Sequence, residues 1–200
     1  MAGALFLPFT PQARRVEELA IKIKGDHKIA PYTAVAPLDL AGRMGVAVVA
    51  RSWFDGLPPD LAKILLANGA RDWSAGSISC DGTLVIALNP THGEGRRTIS
   101  LGEELVHESL GHPKSQLQVI DGVTMRTCDH SIEDEAYSVA AALLMPYRPL
   151  FNHVDVGQPL STLPVPAEVS IEAREFRVKR AGLWRVYQAR LRAAGTSKQA

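Results

Sequence analysis

The sequence has few of the features that mark secreted or membrane-spanning proteins. It contains two cysteines in 200 residues, too few for the disulfide framework of a small secreted domain, and this usage fits a reducing cytoplasm. No apolar stretch approaches the roughly 18 residues that cross a bilayer. The N-terminal segment lacks the basic start of a signal peptide and is interrupted by Pro8. We therefore expect a cytoplasmic protein with no membrane partner.

An excess of charge of one sign is also missing. The formal net charge is +1, which argues against a general nucleic-acid coat protein. The excess of positive charge is confined to the segment from Pro166 to Ala200, which holds eight Lys and Arg but only three Asp and Glu. Apolar residues at 46% and charged residues at 22% are typical of an ordinary globular chain. Disorder of the whole chain is therefore excluded.

The order of the predicted elements indicates an α+β protein. Thr10 followed by Pro11 is typical of a helix start, and Asp81-Gly82 is a hairpin turn signal between two short apolar strands. Two helices are predicted over residues 100–111 and 131–145. Because the strands lie between helices, we expect a small antiparallel sheet packed on helices, with a C-terminal helical extension.

The C-terminal part has a different composition from the rest of the chain. We divide the protein into a domain over residues 1–150 and, over 151–200, a Pro-rich linker followed by the basic helical extension. The last helix is predicted from Ser170 to Ala194 with an interruption at Gly182, and its basic residues resemble a DNA-recognition helix. The Pro-rich run leaves no room for the first helix of a helix-turn-helix. We therefore favour packing of this helix on the main domain and do not expect a nucleic-acid partner.

The residues most suggestive of chemistry lie in the helix predicted from residue 100. Glu103 and His107 are four residues apart, so both side chains lie on one helical face and can reach the same metal ion. Glu104 is beside them, where a zinc peptidase has the carboxylate that takes a proton from water. A carboxylate oxygen is an acceptable zinc ligand. The spacing therefore makes Glu103 and His107 candidate ligands and Glu104 a candidate general base.

Two of these acidic residues also have a structural interpretation. Ser100 and Glu103 have the spacing of a capping box at a helix start. Glu133, a candidate third ligand from the next helix, lies in the first turn, where an acid stabilises the helix dipole. The residues alone leave both interpretations open.

Two segments resemble the ImmA/IrrE-type metallopeptidase domain family. The first comprises the strand and loop Val85–Pro90 and the helix Ile99–His107, read ISLGEELVH. The second, Glu133–Pro146, reads EDEAYSVAAALLMP and matches the family's second helix in its Glu, its small residues and its Leu-Leu-Met-Pro end. The resemblance extends over roughly residues 10 to 150.

The resemblance implies a zincin-like core with a metal site. By position, the metal ligands would be Glu103, His107 and Glu133, and the general base would be Glu104. The family's motif has histidine where this chain has Glu103, so zinc or another divalent ion such as manganese is implied. The implied activity is a metal-dependent endopeptidase acting on a regulatory protein such as a helix-turn-helix repressor. The alternative is a non-catalytic module of the same fold that recognises a regulator.

His112 is a further candidate near the end of the first helix. It can replace the missing histidine ligand if the chain folds back after Gly111. A spacing of five residues puts His107 and His112 on different helical faces, which favours a capping or substrate-pocket role. Both roles stay open at this point.

Overall fold

The computed structural model describes residues 5–68, 73–113, 117–120, 123–126 and 129–196. Its α-helices are α1 (Pro11–Asp26), α2 (Pro37–Met44), α3 (Pro59–Ala62), α4 (Glu94–Leu110), α5 (His130–Leu144), α6 (Tyr147–Asp155), α7 (Ile171–Arg180) and α8 (Trp184–Thr196). Its strands are β1 (Ala47–Val48), β2 (Ala75–Cys80), β3 (Thr83–Leu88), β4 (Leu117–Ile120) and β5 (Val123–Arg126). Short 3₁₀ segments cover residues 51–56 and 160–162, and a π-helical segment covers residues 63–68.

The main sheet has three strands in the order β1-β3-β2. β2 and β3 are antiparallel and joined by a tight turn in which both Asp81 and Gly82 have positive φ, which confirms the predicted hairpin. β1 runs parallel to β3, with Ala47 opposite Val85. The class is α+β as predicted, but the small sheet is mixed where an antiparallel sheet was expected, because β1 joins the hairpin in the parallel direction. The chain between β1 and β3 is long enough for the crossover that parallel neighbours require.

The first helix of the candidate site begins earlier than the sequence predicts. α4 starts at Glu94 with Gly93 as its N-cap residue, and Ser100 is a buried residue inside the helix at 4% exposure. In the loop before it, the side-chain oxygen of Asn89 accepts hydrogen bonds from the Thr91 amide and hydroxyl at 2.9 and 2.7 Å. The predicted cap at Ser100 is therefore wrong, and the capping-box explanation of Glu103 no longer applies.

Close packing of α4 against α5 forms the centre of the main core. Leu105 and Val106 of α4 and Val139 of α5 are completely buried. Gly102 faces Ala140, and a Cβ atom added to this glycine would lie 3.0 Å from the Ala140 Cβ. Small residues at this contact allow a short distance between the two helix axes. The packing therefore brings the predicted ligands on α4 close to the start of α5.

The C-terminal helices form a second core cluster, to which α5 also contributes buried side chains. Gly182 has a φ of +75° and separates α7 from α8, which confirms the predicted interruption. Leu183 and Tyr187 are buried against this cluster. The Pro-rich stretch after Pro146 includes α6, and residue 150 lies inside that helix. The division of the chain at residue 150 stays a prediction.

The basic side chains of α7 have partners within the protein. Arg174 donates to backbone carbonyl oxygens of the preceding segment, the shortest bond being 2.7 Å to Leu160. The other basic residues of α7 form ion pairs: Arg177 with Glu17, Lys179 with Glu175 and Arg180 with Asp134. The expectation that nucleic acid is not a partner stays a prediction. Within the described ranges, no helix combines the length and apolar character needed to cross a membrane.

Candidate functional site

The candidate site lies on the seam between α4 and the first turns of α5. Glu103 and His107 are one turn apart in the second half of α4, with His107 in its last turn, as the four-residue spacing predicts. Glu133 is in the first turn of α5, whose N-cap residue Asp129 accepts a hydrogen bond from the Ser131 amide at 2.9 Å. The seam therefore carries all three predicted ligands.

His107 and Glu133 face each other across this seam. The His107 Nε2 atom lies 3.6 Å from the Glu133 Oε2 atom, which is too long for a hydrogen bond. Two donors bound to one tetrahedral zinc at its usual bond lengths lie roughly 3.3 Å apart. The separation is thus compatible with two side chains that share one ion.

Glu103 lies half-buried one turn before His107, with two other carboxylates nearby. Burial, followed by the nearby carboxylates of Glu133 and Glu104, raises the pKa of Glu103 to about 7, and Arg96 opposes this shift. Its carboxyl group makes no hydrogen bond to any residue that the structure describes. A cation bound here would relieve the mutual repulsion of these carboxylates.

Glu104 is adjacent to this group and is half-buried. Its charge contributes to the raised pKa of Glu103, so its carboxylate is close to the candidate ligands. Its role as a general base stays a prediction.

The predicted metal site is not assembled as a closed set of three donors. In the part of the chain that the structure describes, no three His, Cys, Asp or Glu side chains are close enough to hold one ion without moving. Imidazole and carboxylate are nevertheless ligands that zinc and related ions accept. The residues on the seam therefore fit a divalent ion in donor type and in charge, and the ligand set stays a prediction.

The structure brings His112, the further candidate, back to the side chain of His107. Gly111 ends α4 in the left-handed conformation with φ of +64°, and the His112 amide donates to the His107 carbonyl oxygen at 2.9 Å. The chain therefore turns back, and the two imidazoles lie together with their Nδ1 atoms 3.1 Å apart. Helical spacing separates the two rings only while the helix continues, and Gly111 is the residue type that ends it.

Two further residues continue this contact towards α1. The His112 Nε2 atom is 3.4 Å from Glu135 Oε1, and Arg15 Nε donates to Glu135 Oε2 at 2.8 Å. The Arg15 contact is the main reason why the pKa of Glu135 is lowered, and His112 contributes to the shift. Nothing in the sequence pattern relates Arg15 to the site, because this contact joins residues 120 positions apart.

A cavity of about 410 Å³ opens beside Glu103. Arg96 and Tyr137 line it together with the start of α7 at Ser170. The Arg96 guanidinium donates to Ser74 Oγ at 2.9 Å. Burial and the charge of Glu103 raise the pKa of Tyr137. The candidate site thus adjoins a pocket whose lining includes the positively charged Arg96 and the acidic Glu103.

Comparison with known proteins identifies the family of the chain. Residues 66–179 match Peptidase_M78, a family of metallopeptidase-like domains described as the IrrE N-terminal-like domain. The match covers more than half of the chain and includes α4, α5 and all but the last residue of α7. The chain belongs to the IrrE N-terminal-like domain family, which confirms the resemblance noted from the sequence. No curated protein and no solved structure matched the chain.

Proposed function

We propose that the chain is a metal-dependent endopeptidase with a zincin-like core, acting on a regulatory protein such as a helix-turn-helix repressor. The observation that supports this most is the juxtaposition of His107 on α4 with Glu133 on α5, whose facing atoms are 3.6 Å apart. The electrostatic coupling of Glu103 to Glu133 supports the same site. Membership of a peptidase family supports the type of reaction.

In this proposal, Glu103, His107 and Glu133 hold the ion. A divalent ion bound there supplies Lewis acidity and an activated water. Glu104 accepts a proton at a carboxylate oxygen during hydrolysis and later delivers it to the leaving amine. Two carboxylates and one imidazole select zinc less strongly than a histidine-rich set does, so manganese is also suitable.

The cavity beside Glu103 is proposed to bind part of the polypeptide substrate. Its volume of about 410 Å³ is large enough for one or two side chains of an extended segment. Arg96 at its edge offers a guanidinium that can bind a carboxylate or a backbone carbonyl. Restriction to a single regulatory target would then come from docking of the whole partner protein.

A non-catalytic module that recognises a regulator is the second candidate. Two observations favour it: Glu103 occupies the position of a histidine ligand, and no three donors are gathered among the described residues. Such a protein would use the same pocket without hydrolysing its partner. The two candidates differ in whether the seam holds a metal ion.

Metal analysis of the chain purified without chelator tests the proposal. We expect one zinc or manganese per chain, and we expect H107A and E133A each to abolish stoichiometric binding in calorimetric titrations. E104Q should retain the metal and lose proteolysis of a repressor substrate by orders of magnitude. E108Q changes an exposed acid on the same helix and is the matched control for both measurements.

Two other results would redirect the interpretation. A parent protein that binds neither metal would exclude the peptidase and support the recognition module. Unchanged metal content in E103A, together with complete loss in H112A, would replace Glu103 by His112 in the ligand set.

A further inference from the structure

Four side chains form a continuous series from the surface of α1 to the candidate ligand His107. Arg15 contacts Glu135 at 2.8 Å, Glu135 lies 3.4 Å from His112, and the His112 Nδ1 atom is 3.1 Å from the Nδ1 atom of His107. The His112 side chain is 10% exposed and that of His107 is 21% exposed. Water therefore has little access to the contact between the two rings.

The ion pair at one end determines how His112 can bond. Glu135 is held by the Arg15 guanidinium, and an ionised carboxylate only accepts hydrogen bonds. The His112 Nε2 atom faces this carboxylate, so the proton of a neutral His112 ring belongs on Nε2. A neutral imidazole has one donor and one acceptor. The Nδ1 atom of His112 is consequently an acceptor.

The acceptor on His112 in turn determines the tautomer of His107. Two facing nitrogens at 3.1 Å need one proton between them, and His112 Nδ1 carries none in this arrangement. The proton therefore belongs to the Nδ1 atom of His107. The Nε2 atom of His107 lies 3.6 Å from Glu133 Oε2, which is too far for a hydrogen bond to that carboxylate. This nitrogen therefore carries the lone pair, on the side of the seam.

We infer that His112 is a positioning residue that, with Glu135 and Arg15, holds His107 in the tautomer protonated on Nδ1 and directs its Nε2 lone pair into the seam. This inference deepens the proposed function, because a lone pair on Nε2 is what a metal ligand needs. Histidine ligands in metal sites generally donate their other ring N–H to an orienting partner, and loss of that partner typically weakens metal binding ten- to hundredfold. Here the partner would be a second histidine.

The tautomer can be read in the metal-free protein. Long-range ¹H–¹⁵N correlation spectra of the imidazoles at pH 8 distinguish the protonated from the unprotonated ring nitrogen, and H107A identifies the resonances of His107. We expect the parent protein to show His107 protonated on Nδ1. In H112L, which has no acceptor, a large fraction of His107 should change to the form protonated on Nε2.

A conservative variant separates positioning from general disruption of the fold. H112N places a carbonyl oxygen near the former Nδ1 position, so it should keep His107 protonated on Nδ1. H130A removes an exposed histidine at the start of α5 and should change nothing. Circular dichroism spectra and melting curves of H112L and H112N establish that the compared proteins are folded.

Zinc titration gives the second measurement. H112L should bind zinc ten- to hundredfold more weakly than the parent protein, and H112N should recover most of this loss. If the parent binds neither zinc nor manganese, the proposed peptidase fails while the spectra still decide the tautomer. A His107 ring protonated on Nε2 in the parent, or a tautomer unchanged in folded H112L, would overturn the inference.

Discussion

Arg177 on α7 and Glu17 on α1 form a buried ion pair between residues 160 positions apart in the chain. Glu17 also accepts a hydrogen bond from the Tyr147 amide at 3.2 Å. Arg177 Nε donates to the Met145 carbonyl oxygen at 2.9 Å, and burial lowers the pKa of Arg177 to about 9. The pair thus joins the first helix, the end of α5 and the C-terminal helices around one polar centre.

We predict that R177M lowers the free energy of unfolding by about 3–5 kcal/mol, because it leaves the Glu17 carboxylate buried without its counter-ion. Urea denaturation at constant pH measures the loss. The double variant E17Q/R177M should lose less free energy of unfolding than the sum of the losses in E17Q and R177M, because neither charge is then left without its partner. Additive losses would show that the ion pair has no special role.

The contact between Gly102 and Ala140 leads to a second prediction. A side chain at residue 102 must displace Ala140, whose Cβ atom is only 3.0 Å from the position of the added Cβ. G102V should therefore destabilise the protein by about 1–3 kcal/mol through overpacking, and it should weaken zinc binding because α4 and α5 move apart. Thermal melts and zinc titration measure the two effects.

Gly42 is the matched control for this substitution. It lies inside α2 with open space around its Cβ position. G42A should leave stability unchanged or raise it by up to about 1 kcal/mol. An equal loss of stability in G42A and G102V would contradict the packing argument.

Local patterns predicted most of the elements correctly. Thr10 caps α1, Asp81 and Gly82 form the hairpin turn, and Gly182 separates the last two helices, because each of these signals acts within a few residues. The parallel pairing of β1 with β3 was not predicted. Alternating apolar residues identify strands, but they do not specify which strands become neighbours.

The candidate site was predictable only as far as helical geometry determines it. The four-residue spacing placed Glu103 and His107 on one face, and the family resemblance added Glu133 from a second helix. The position of His112 beside His107 depends on the left-handed conformation of Gly111. The contacts of Glu135 with His112 and Arg15 depend on the packing of α1 near α5. These tertiary contacts have no periodic signal in the sequence.

The raised pKa of the half-buried Glu103 predicts a pH dependence of stability in the metal-free protein. Its folded pKa of about 7 lies above the ordinary value of 4.5, so the folded state binds the proton more tightly. Its contribution to stability is therefore greatest below pH 4.5 and falls as the pH rises to about 7, by a total of about 3 kcal/mol. E103Q should remove this part of the pH dependence and be more stable than the parent at pH 8.

Urea denaturation of parent and variant between pH 4 and pH 8, with chelator present, measures this difference. E108Q replaces an exposed acid on the same helix and should follow the parent curve. Parallel curves for the parent and E103Q would mean that the carboxyl of Glu103 is well solvated in solution.

Replacing Glu103 by histidine tests the first ligand position directly. Because α4 begins at Glu94 rather than at Ser100, E103H does not remove a helix cap and should fold normally. It supplies a nitrogen ligand and removes one carboxylate from the neighbourhood of Glu133. We therefore expect zinc to bind at least tenfold more tightly, with proteolysis at least equal to that of the parent. E103Q, which offers only a neutral amide, should bind zinc more weakly than either. If zinc affinity is the same in the parent, E103H and E103Q, Glu103 does not contact the ion, and the ligands must be sought among His107, His112 and Glu133.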